Sequence, residues 1–203
     1  MDTDSYQTIA GAAEAVYKEK GSKFLAFAYP VESEDAIRGH LDVLAKKYYD
    51  ATHHCYAWRL GPRGAEFRAN DNGEPSGTAG KPILGQMLSR EVTNLLIVVV
   101  RYFGGTKLGV SGLIGAYKAS AAAALDAAQV VLRTVDAWLE ITYSYLAMND
   151  VMRVVKEEQP RIVEQRFDNV CRLVLAIRQS REERLTGRLG DIGGVSIEHM
   201  GYK

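Results

Sequence analysis

Apolar residues in the first two thirds of the chain recur in short runs that are typical of β-strands. Strands are predicted at Phe24–Val31, at His54–Leu60 and, after a GPRG turn, at Glu66–Ala69. The run Leu95–Val100 is apolar at every position, which is the pattern of a strand buried on both faces of a sheet. These runs predict a sheet with Leu95–Val100 at its centre.

Helical periodicity separates these strands. Apolar residues spaced by three or four positions predict a helix that ends near Tyr48 and begins after Ser33, which stands at the N-cap. The segment 83–90, ILGQMLSR, predicts a short helix. The alanine-rich segment 112–128 predicts a longer helix, with Ser111 as its cap.

The pattern changes at about Arg133. Two segments of helical periodicity, the first ending before Pro160, lie among four predicted strands, so the order of elements is βαββαβ, the ferredoxin-like arrangement. We therefore predict an α+β protein with two domains, residues 1–133 and residues 134–203. The predicted strands of the second domain are Trp138–Tyr143, Ile162–Phe167, Val170–Ile177 and 195–199, with Asp168 and Asn169 in the turn between the middle two.

Charge argues against one class of function. Lysine and arginine number 25 and aspartate and glutamate number 25. Residues 1–133 carry 15 basic and 14 acidic side chains, and residues 134–203 carry 10 and 11. Neither part has the basic excess of an avid, nonspecific nucleic-acid binder, although a local basic groove stays open as an alternative.

Cysteine usage and the N-terminal sequence indicate a compartment. Cys55 and Cys171 lie far apart, so the sequence predicts neither a disulfide framework nor a zinc site with paired cysteines. The first residues, MDTDSYQ, are acidic where a signal peptide is basic, and no apolar run reaches about 18 residues. We expect a cytoplasmic protein.

The stretch RYFGGTKLGVSGLIGAYK, residues 101–118, raises two alternatives. A strand followed by glycines and a helix start can present backbone N–H groups to an anion. The glycines can equally supply a tight corner and close helix packing. Their spacing matches neither the Walker loop GxxxxGK[ST] nor the dinucleotide fingerprint GxGxxG, so a nucleotide is not favoured.

Side chains that can donate hydrogen bonds lie near these glycines and favour an anion-binding site. Arg101, Tyr102, Lys107 and Ser111 fall within one turn of them. A guanidinium at the end of an apolar strand must reach solvent, pair with a carboxylate or hold an anion. The internal partners available to Arg101 are Asp71 and Glu74, and a salt bridge to one of them competes with a ligand contact.

Two further clusters carry candidate chemistry. In the turn-rich segment 70–82, NDNGEPSGTAGKP, Asp71 and Glu74 could bind magnesium or act as acid and base, or they could be solvated and capping residues. The sequence HHC places the first histidine and Cys55 on one face of a strand and His54 on the other. The nearby sequence offers no further metal ligands, so a zinc site is not favoured. Cys55 is interpreted as a small buried residue.

Four motifs in order carry a family resemblance. SKF (22–24), HHCYAW (53–58), NGEPSGTAGKP (72–82) and VVVRYFGGTKLGVSGLIGAY (98–117) resemble the IMPACT family in its bacterial YigZ-like branch. The resemblance implies a first domain like domain 2 of a small-subunit ribosomal protein, a β-α-β sheet with helices on one face. This fold is shared with sugar and mevalonate kinases and with an elongation-factor domain. It implies a second, ferredoxin-like domain similar to the last domain of that factor.

The same resemblance implies a role in translation. Eukaryotic relatives regulate translation by competing for an activator of an initiation-factor kinase through a further N-terminal domain, so that partner is not carried over to this chain. Where the family has two successive acids before GEP, this chain has Asp71 and Asn72, which weakens a metal-binding mechanism. The kinase glycine-serine signature is also absent, so kinase activity is not expected.

We therefore predict a translation- or ribosome-associated regulatory protein that contacts RNA or a protein partner through the glycine-loop cleft. With RNA as ligand, Lys81 and Lys107 would neutralise phosphates, Arg101 would contact phosphate or base, and Tyr102 would stack. We assign no catalytic residue, cofactor or metal. The predicted binding residues are His54, Asp71, Glu74, Lys81, Arg101, Tyr102, Gly104, Gly105, Lys107, Gly109, Ser111 and Gly112.

Two alternatives stay open. One is an enzyme that acts on a small phosphorylated or acidic substrate in the same cleft, with backbone N–H groups at Gly104–Lys107 holding the anion and Glu74 or His54 as the general base. The other is a protein-binding scaffold that uses the exposed sheet face of the second domain.

Overall fold

A computed structural model of the protein describes residues 4–168 and 170–202, so Asn169, predicted in a turn, lies outside the described residues. The chain divides into two compact units. The first unit is Tyr6–Arg133, and the second contains Asp4, Ser5 and the residues from Thr134 onwards. Asp4 and Ser5 therefore belong with the second unit, whereas the sequence placed them in the first domain.

An antiparallel five-stranded sheet organises the described residues of the first unit. Its strand order is β2-β3-β6-β4-β5, so β6 lies at the centre, as the apolar run predicts. A separate pair of strands joins β1 to β7. The strands are β1 (Ser5–Ile9), β2 (Ala13–Glu19), β3 (Ser22–Pro30), β4 (His53–Leu60), β5 (Glu66–Asn70), β6 (Leu95–Tyr102) and β7 (Val130–Thr134).

Helices cover both faces of this sheet. On one face, α1 (Glu34–Lys47) buries Ile37 and Leu44 against β3, β4 and β6. On the other face, α2 (Gly80–Ser89) and α3 (Gly109–Ala127) close a second apolar core. The expectation of helices on one face is therefore wrong. Since every residue of Leu95–Val100 is apolar, β6 can support a core on each side.

The helix starts agree only partly with the predicted caps. The Ser33 hydroxyl accepts a hydrogen bond from the Ala36 N–H at 3.2 Å, which confirms it as the N-cap of α1. Helix α3, however, begins at Gly109, so the predicted cap Ser111 is an exposed residue of its first turn. Leu108 occupies the N-cap position and offers no capping side chain.

The second unit has the predicted element order. Strand β8 (Asp136–Tyr143) is followed by α4 (Met148–Glu158), β9 (Arg161–Phe167), β10 (Cys171–Arg178), α5 (Glu182–Gly190) and β11 (Val195–Tyr202). The strands form one antiparallel sheet in the order β11-β8-β10-β9. Helices α4 and α5 pack against a single apolar face of that sheet. No helix in the described part of the chain is both long enough and apolar enough to span a bilayer.

Asp4 is held in the second unit by an ion pair and hydrogen bonds. The Arg178 guanidinium donates from Nε to Asp4 Oδ2 at 2.8 Å and from Nη2 to Oδ1 at 2.9 Å, and the Ser180 N–H donates to Oδ2 at 3.0 Å. Hydrogen bonding from Ser180, opposed by burial and reinforced by Arg178, lowers the pKa of Asp4 to about 2. This buried carboxylate is therefore ionised at neutral pH.

Candidate functional site

A buried ion pair stands at the end of the central strand. The Arg101 side chain is only 6% exposed, and its Nη1 donates to Glu74 Oε1 at 2.6 Å. The Tyr117 hydroxyl donates to the same carboxylate oxygen at 2.8 Å. Of the alternatives left open by the sequence, an internal salt bridge to Glu74 is the one found. The positive charge of Arg101 is therefore balanced by Glu74 within the protein itself.

Two weak acids lie beside this pair and stay neutral. Burial raises the pKa of the Cys55 thiol to about 12, and burial also raises the pKa of Tyr117 well above its ordinary value. The Cys55 Sγ donates to the Asp71 carbonyl oxygen at 3.0 Å. Cys55 is thus the small buried residue that the sequence favours rather than a thiolate nucleophile.

His53 completes the cluster, and the sequence did not select it. Strand pairing sets His53 opposite Arg101, so both side chains lie on the same face of the sheet. The His53 Nδ1 lies 2.7 Å from the Asn72 carbonyl oxygen, and Nε2 lies 3.8 Å from Glu74 Oε1. The signal was present in the alternation of HHC, but only the pairing of β4 with β6 shows which face meets Glu74.

Asp71 holds the turn-rich loop in place. Its Oδ2 accepts from the Gly77 N–H at 2.8 Å, and its Oδ1 accepts from the N–H groups of Ala79 and Gly80 at 3.0 and 2.8 Å. Burial opposes ionisation, but these backbone donors outweigh it and lower the pKa of Asp71. Asp71 therefore caps the start of α2. Lys81 is an exposed residue in the first turn of that helix.

The glycine loop is a closely packed corner. A Cβ on Gly104 would lie 1.9 Å from the carbonyl carbon of Gly21, so only glycine allows this approach of two backbones. Gly105 and Gly109 have φ angles of +85° and +72°, a region that L-residues rarely adopt. The Gly104 N–H donates to the Ser22 hydroxyl at 3.2 Å. The architectural role of these glycines is therefore established by contact and conformation.

A cleft of about 340 Å³ opens above the ion pair. His53, Glu74 and Arg101 contribute its polar groups, and Lys107 adds an exposed cation. Two of its apolar residues remain open to solvent, Phe103 at 48% and Val110 at 59%. Its remaining lining residues are Thr52, Pro75, Leu108, Gly109 and Leu113.

Some predicted site residues lie elsewhere. Tyr102 follows Arg101 on the strand and points to the opposite face, where its hydroxyl donates to Asp50 Oδ1 at 2.7 Å. His54 also lies on that face, and burial lowers its pKa. The cleft lining brings together Glu74, Arg101, Lys107 and Gly109 of the predicted set. Among the described residues, no three histidine, cysteine or acidic side chains are placed to hold a metal ion.

Comparison with known proteins shows which family contains this loop and cleft. Residues 20–125 match the Impact N-terminal domain, a span that contains every residue of the cleft lining. The chain belongs to the IMPACT family. The family member YvyE of Bacillus subtilis (strain 168) is 34% identical over 155 residues, which cover 76% of this chain and 71% of YvyE.

Other IMPACT family members extend the similarity to the second unit. YigZ of Escherichia coli (strain K12) is 26% identical over 197 residues, covering 96% of this chain and 97% of YigZ. The crystal structure of a hypothetical protein superposes on this chain with a TM-score of 0.74 at 26% identity, and the match covers 98% of both chains. The predicted membership of the YigZ-like branch is confirmed.

Proposed function

We propose that this IMPACT family protein is a translation-associated regulatory protein that binds a protein partner through the cleft above Arg101 and Glu74. The translation role is inferred from the family resemblance, which implies translation regulation by the eukaryotic relatives. The cleft is proposed as the contact because it lies within the matched domain and combines exposed apolar residues with buried polar ones.

The finer fold assignments belong to this proposal. The second unit has the order βαββαβ with its first strand beside its last and third strands, which supports the ferredoxin-like assignment. For the first unit, likeness to domain 2 of a small-subunit ribosomal protein remains an inference from the family. Residues 1–133 and 134–203 are proposed as the functional domains, apart from the attachment of Asp4 to the second unit.

One observation favours a protein partner over RNA. Arg101, the residue best suited to bind a phosphate, is buried and paired with Glu74. Tyr102, the predicted stacking residue, faces the other side of the sheet and is bound to Asp50. The exposed lining residues include the apolar Phe103 and Val110, and Lys107 is the one exposed cation among the described lining residues. Desolvated apolar anchors are typical of protein interfaces.

The enzyme alternative has less support in this geometry. Glu74 Oε1 accepts hydrogen bonds from Arg101 and Tyr117, so its lone pairs are already used within the protein. His54, the other proposed base, lies on the face of the sheet away from the cleft. A turnover that depended on Glu74 would revive this alternative.

The test is cosedimentation of the purified protein with bacterial 30S and 50S ribosomal subunits, alongside binding to short single-stranded RNA. We expect subunit binding that persists between about 50 and about 200 mM salt, because an apolar interface releases few counterions. The variant Phe103→Ser with Val110→Ser should lose binding. The matched control, Val43→Ser with Tyr49→Ser, removes exposed apolar side chains outside the cleft lining and should bind normally.

Other outcomes would contradict the proposal. A steep loss of binding with salt, together with loss in Lys107→Ala and retention in the Phe103→Ser, Val110→Ser variant, would indicate RNA as the partner. Absence of binding to either subunit would contradict a ribosomal partner. Equal binding by the two double variants would place the contact outside the cleft.

A further inference from the structure

Two hydrogen-bond acceptors converge in the cleft. The Asn72 carbonyl oxygen can only accept, so the His53 Nδ1 at 2.7 Å must carry the hydrogen. In the neutral ring, Nε2 is then an acceptor, and it lies 3.8 Å from Glu74 Oε1, which is itself an acceptor. The His53 side chain keeps 18% of its surface exposed. A group that donates a hydrogen bond would satisfy this arrangement.

Charge around His53 favours a neutral donor over a cation. Arg101 on β6 balances the Glu74 carboxylate, and Tyr117 on α3 donates to it. Asp71 is engaged by backbone N–H groups, and Cys55 is an uncharged thiol. The positive charge of Lys107 is therefore not balanced by these groups. It repels an incoming ammonium or guanidinium group.

The walls of the cleft select an apolar body. Phe103, Leu108, Val110 and Leu113 line it, and the first and third of these are about half exposed. A volume of about 340 Å³ is at the lower end of the range of small-ligand pockets. Aromatic side chains with one polar atom have an apolar body and a single donor, and they are enriched at protein interfaces.

We propose that the cleft binds an aromatic side chain with one neutral donor, specifically a tryptophan of the partner, whose indole N–H donates to His53 Nε2. The identity of the partner rests on the proposed function, but the recognition chemistry belongs to the cleft of the isolated protein. This assigns to His53 a role in specificity, with Phe103 and Val110 supplying apolar contact.

The proposal can be tested without the partner, with indole and 1-methylindole as probes followed by NMR. The two probes share an aromatic body, but 1-methylindole has no N–H. We expect indole to shift the resonances of His53 and Leu113 and to bind about fivefold more tightly than 1-methylindole, the difference that one hydrogen bond of about 1 kcal/mol provides. Long-range ¹H–¹⁵N spectra should show the hydrogen of neutral His53 on Nδ1.

One substitution should remove this preference. The variant His53→Phe should bind both probes equally at neutral pH. The control His54→Phe changes the neighbouring histidine on the opposite face and should keep the fivefold preference.

Several results would overturn the proposal. These are equal binding of the two probes by the unaltered protein, a preference that survives in His53→Phe, or shifts confined to residues outside the cleft. Absence of binding by indole would also overturn it. Loss of ribosome binding with the indole preference intact would reject the proposed function alone, because the probe experiment does not involve ribosomes.

Discussion

At the scale of single residues, Glu74 is the point on which the polar contacts of the cleft converge. Its Oε1 accepts from Arg101 and Tyr117 and lies 3.8 Å from His53 Nε2. Because the Arg101 side chain is almost entirely buried, its positive charge is stabilised by this carboxylate rather than by water. The stability of the site therefore rests on the pair more than on either residue alone.

Removal of one partner should be costly. We expect Glu74→Ala to lower the free energy of unfolding by about 3–5 kcal/mol, because it leaves a buried guanidinium without its counter-ion. Urea unfolding followed by circular dichroism measures this change. The exposed Glu66 supplies the matched control, and Glu66→Ala should change stability by less than about 0.5 kcal/mol.

The double variant Glu74→Leu with Arg101→Met separates charge from packing. It should be more stable than Glu74→Ala, because apolar residues of similar volume remove both charges together. A double variant as unstable as the sum of the two single changes would show that the residues act independently.

The sequence identified part of this site and missed part for a definable reason. The alternation within HHC placed His53 and Cys55 together and His54 apart. Alternation does not say which face meets the neighbouring loop, because that depends on the pairing of His53 with Arg101 across two distant strands. Because successive strand residues alternate between faces, Tyr102 and Arg101 also point to opposite faces of the sheet. Glu74 was recognised as a candidate salt-bridge partner, but the loop geometry was needed to choose it over Asp71, whose carboxylate accepts from backbone N–H groups.

At the scale of elements, the glycine loop fixes how the β2–β3 hairpin meets the end of β6. The Gly104 and Gly21 backbones approach so closely that a Cβ on Gly104 has no space. Elsewhere a Cβ is accommodated, as at Gly115, where it would meet no atom within 4 Å inside α3. Gly104 therefore has no room for a side chain, whereas Gly115 does, although both glycines belong to one motif.

This difference is measurable by thermal or urea unfolding. We expect Gly104→Ala to lower the free energy of unfolding by at least about 2 kcal/mol, because the hairpin or the loop must move. Gly115→Ala should raise it by roughly 0.5–1 kcal/mol, because alanine favours the helix and meets no neighbour. A neutral Gly104→Ala would mean that the corner tolerates separation of the two backbones.

Elements with a strong apolar pattern were predicted, and weakly patterned ones were not. The central strand and the capped helix α1 were found because their periods are unambiguous. Strand β2 (AEAVYKE) is half exposed at the edge of the sheet and mixes charges with small residues, so its alternation is weak. Ser111 was assigned as a cap on residue type, whereas Gly109 with positive φ begins the helix two residues earlier.

At the scale of the whole molecule, each unit has its own apolar core and its own tryptophan. Trp58 belongs to the first unit and Trp138 to the second, and the chain contains two tryptophans. Single Trp→Phe variants therefore report on one unit at a time. Asp4, buried against Arg178 and Ser180, is a group whose ionisation stabilises the second unit.

Acid should weaken the second unit through Asp4. A lowered folded-state pKa of about 2 stabilises the fold above the unfolded value near 4, and this contribution disappears as pH falls towards 2. In the Trp58→Phe background, Asp4→Asn should lower the stability reported by Trp138 by about 2 kcal/mol at pH 7. At about pH 2, where half of the Asp4 carboxyl groups in the folded protein are protonated, most of this difference should be gone.

The exposed Asp168 supplies the control for this experiment. Asp168→Asn lies in the same unit and should leave the Trp138 transition unchanged at both pH values. In the Trp138→Phe background, Asp4→Asn should leave the transition of Trp58 in place. A shift seen only by Trp58 would contradict the assignment of Asp4 to the second unit.

The attachment of Asp4 also determines what a single proteolytic cut would do. Asp4 and Ser5 lie in the second unit, the residues that follow form the whole first unit, and the chain continues in the second unit from Thr134. Cleavage after Arg133 would therefore leave the amino-terminal fragment tethered by Asp4 to Arg178 and Ser180 on the other fragment. Nicked protein should migrate as one particle on gel filtration and as two bands under denaturing conditions. Acidification, which protonates Asp4, would then weaken the contact that holds the two fragments together.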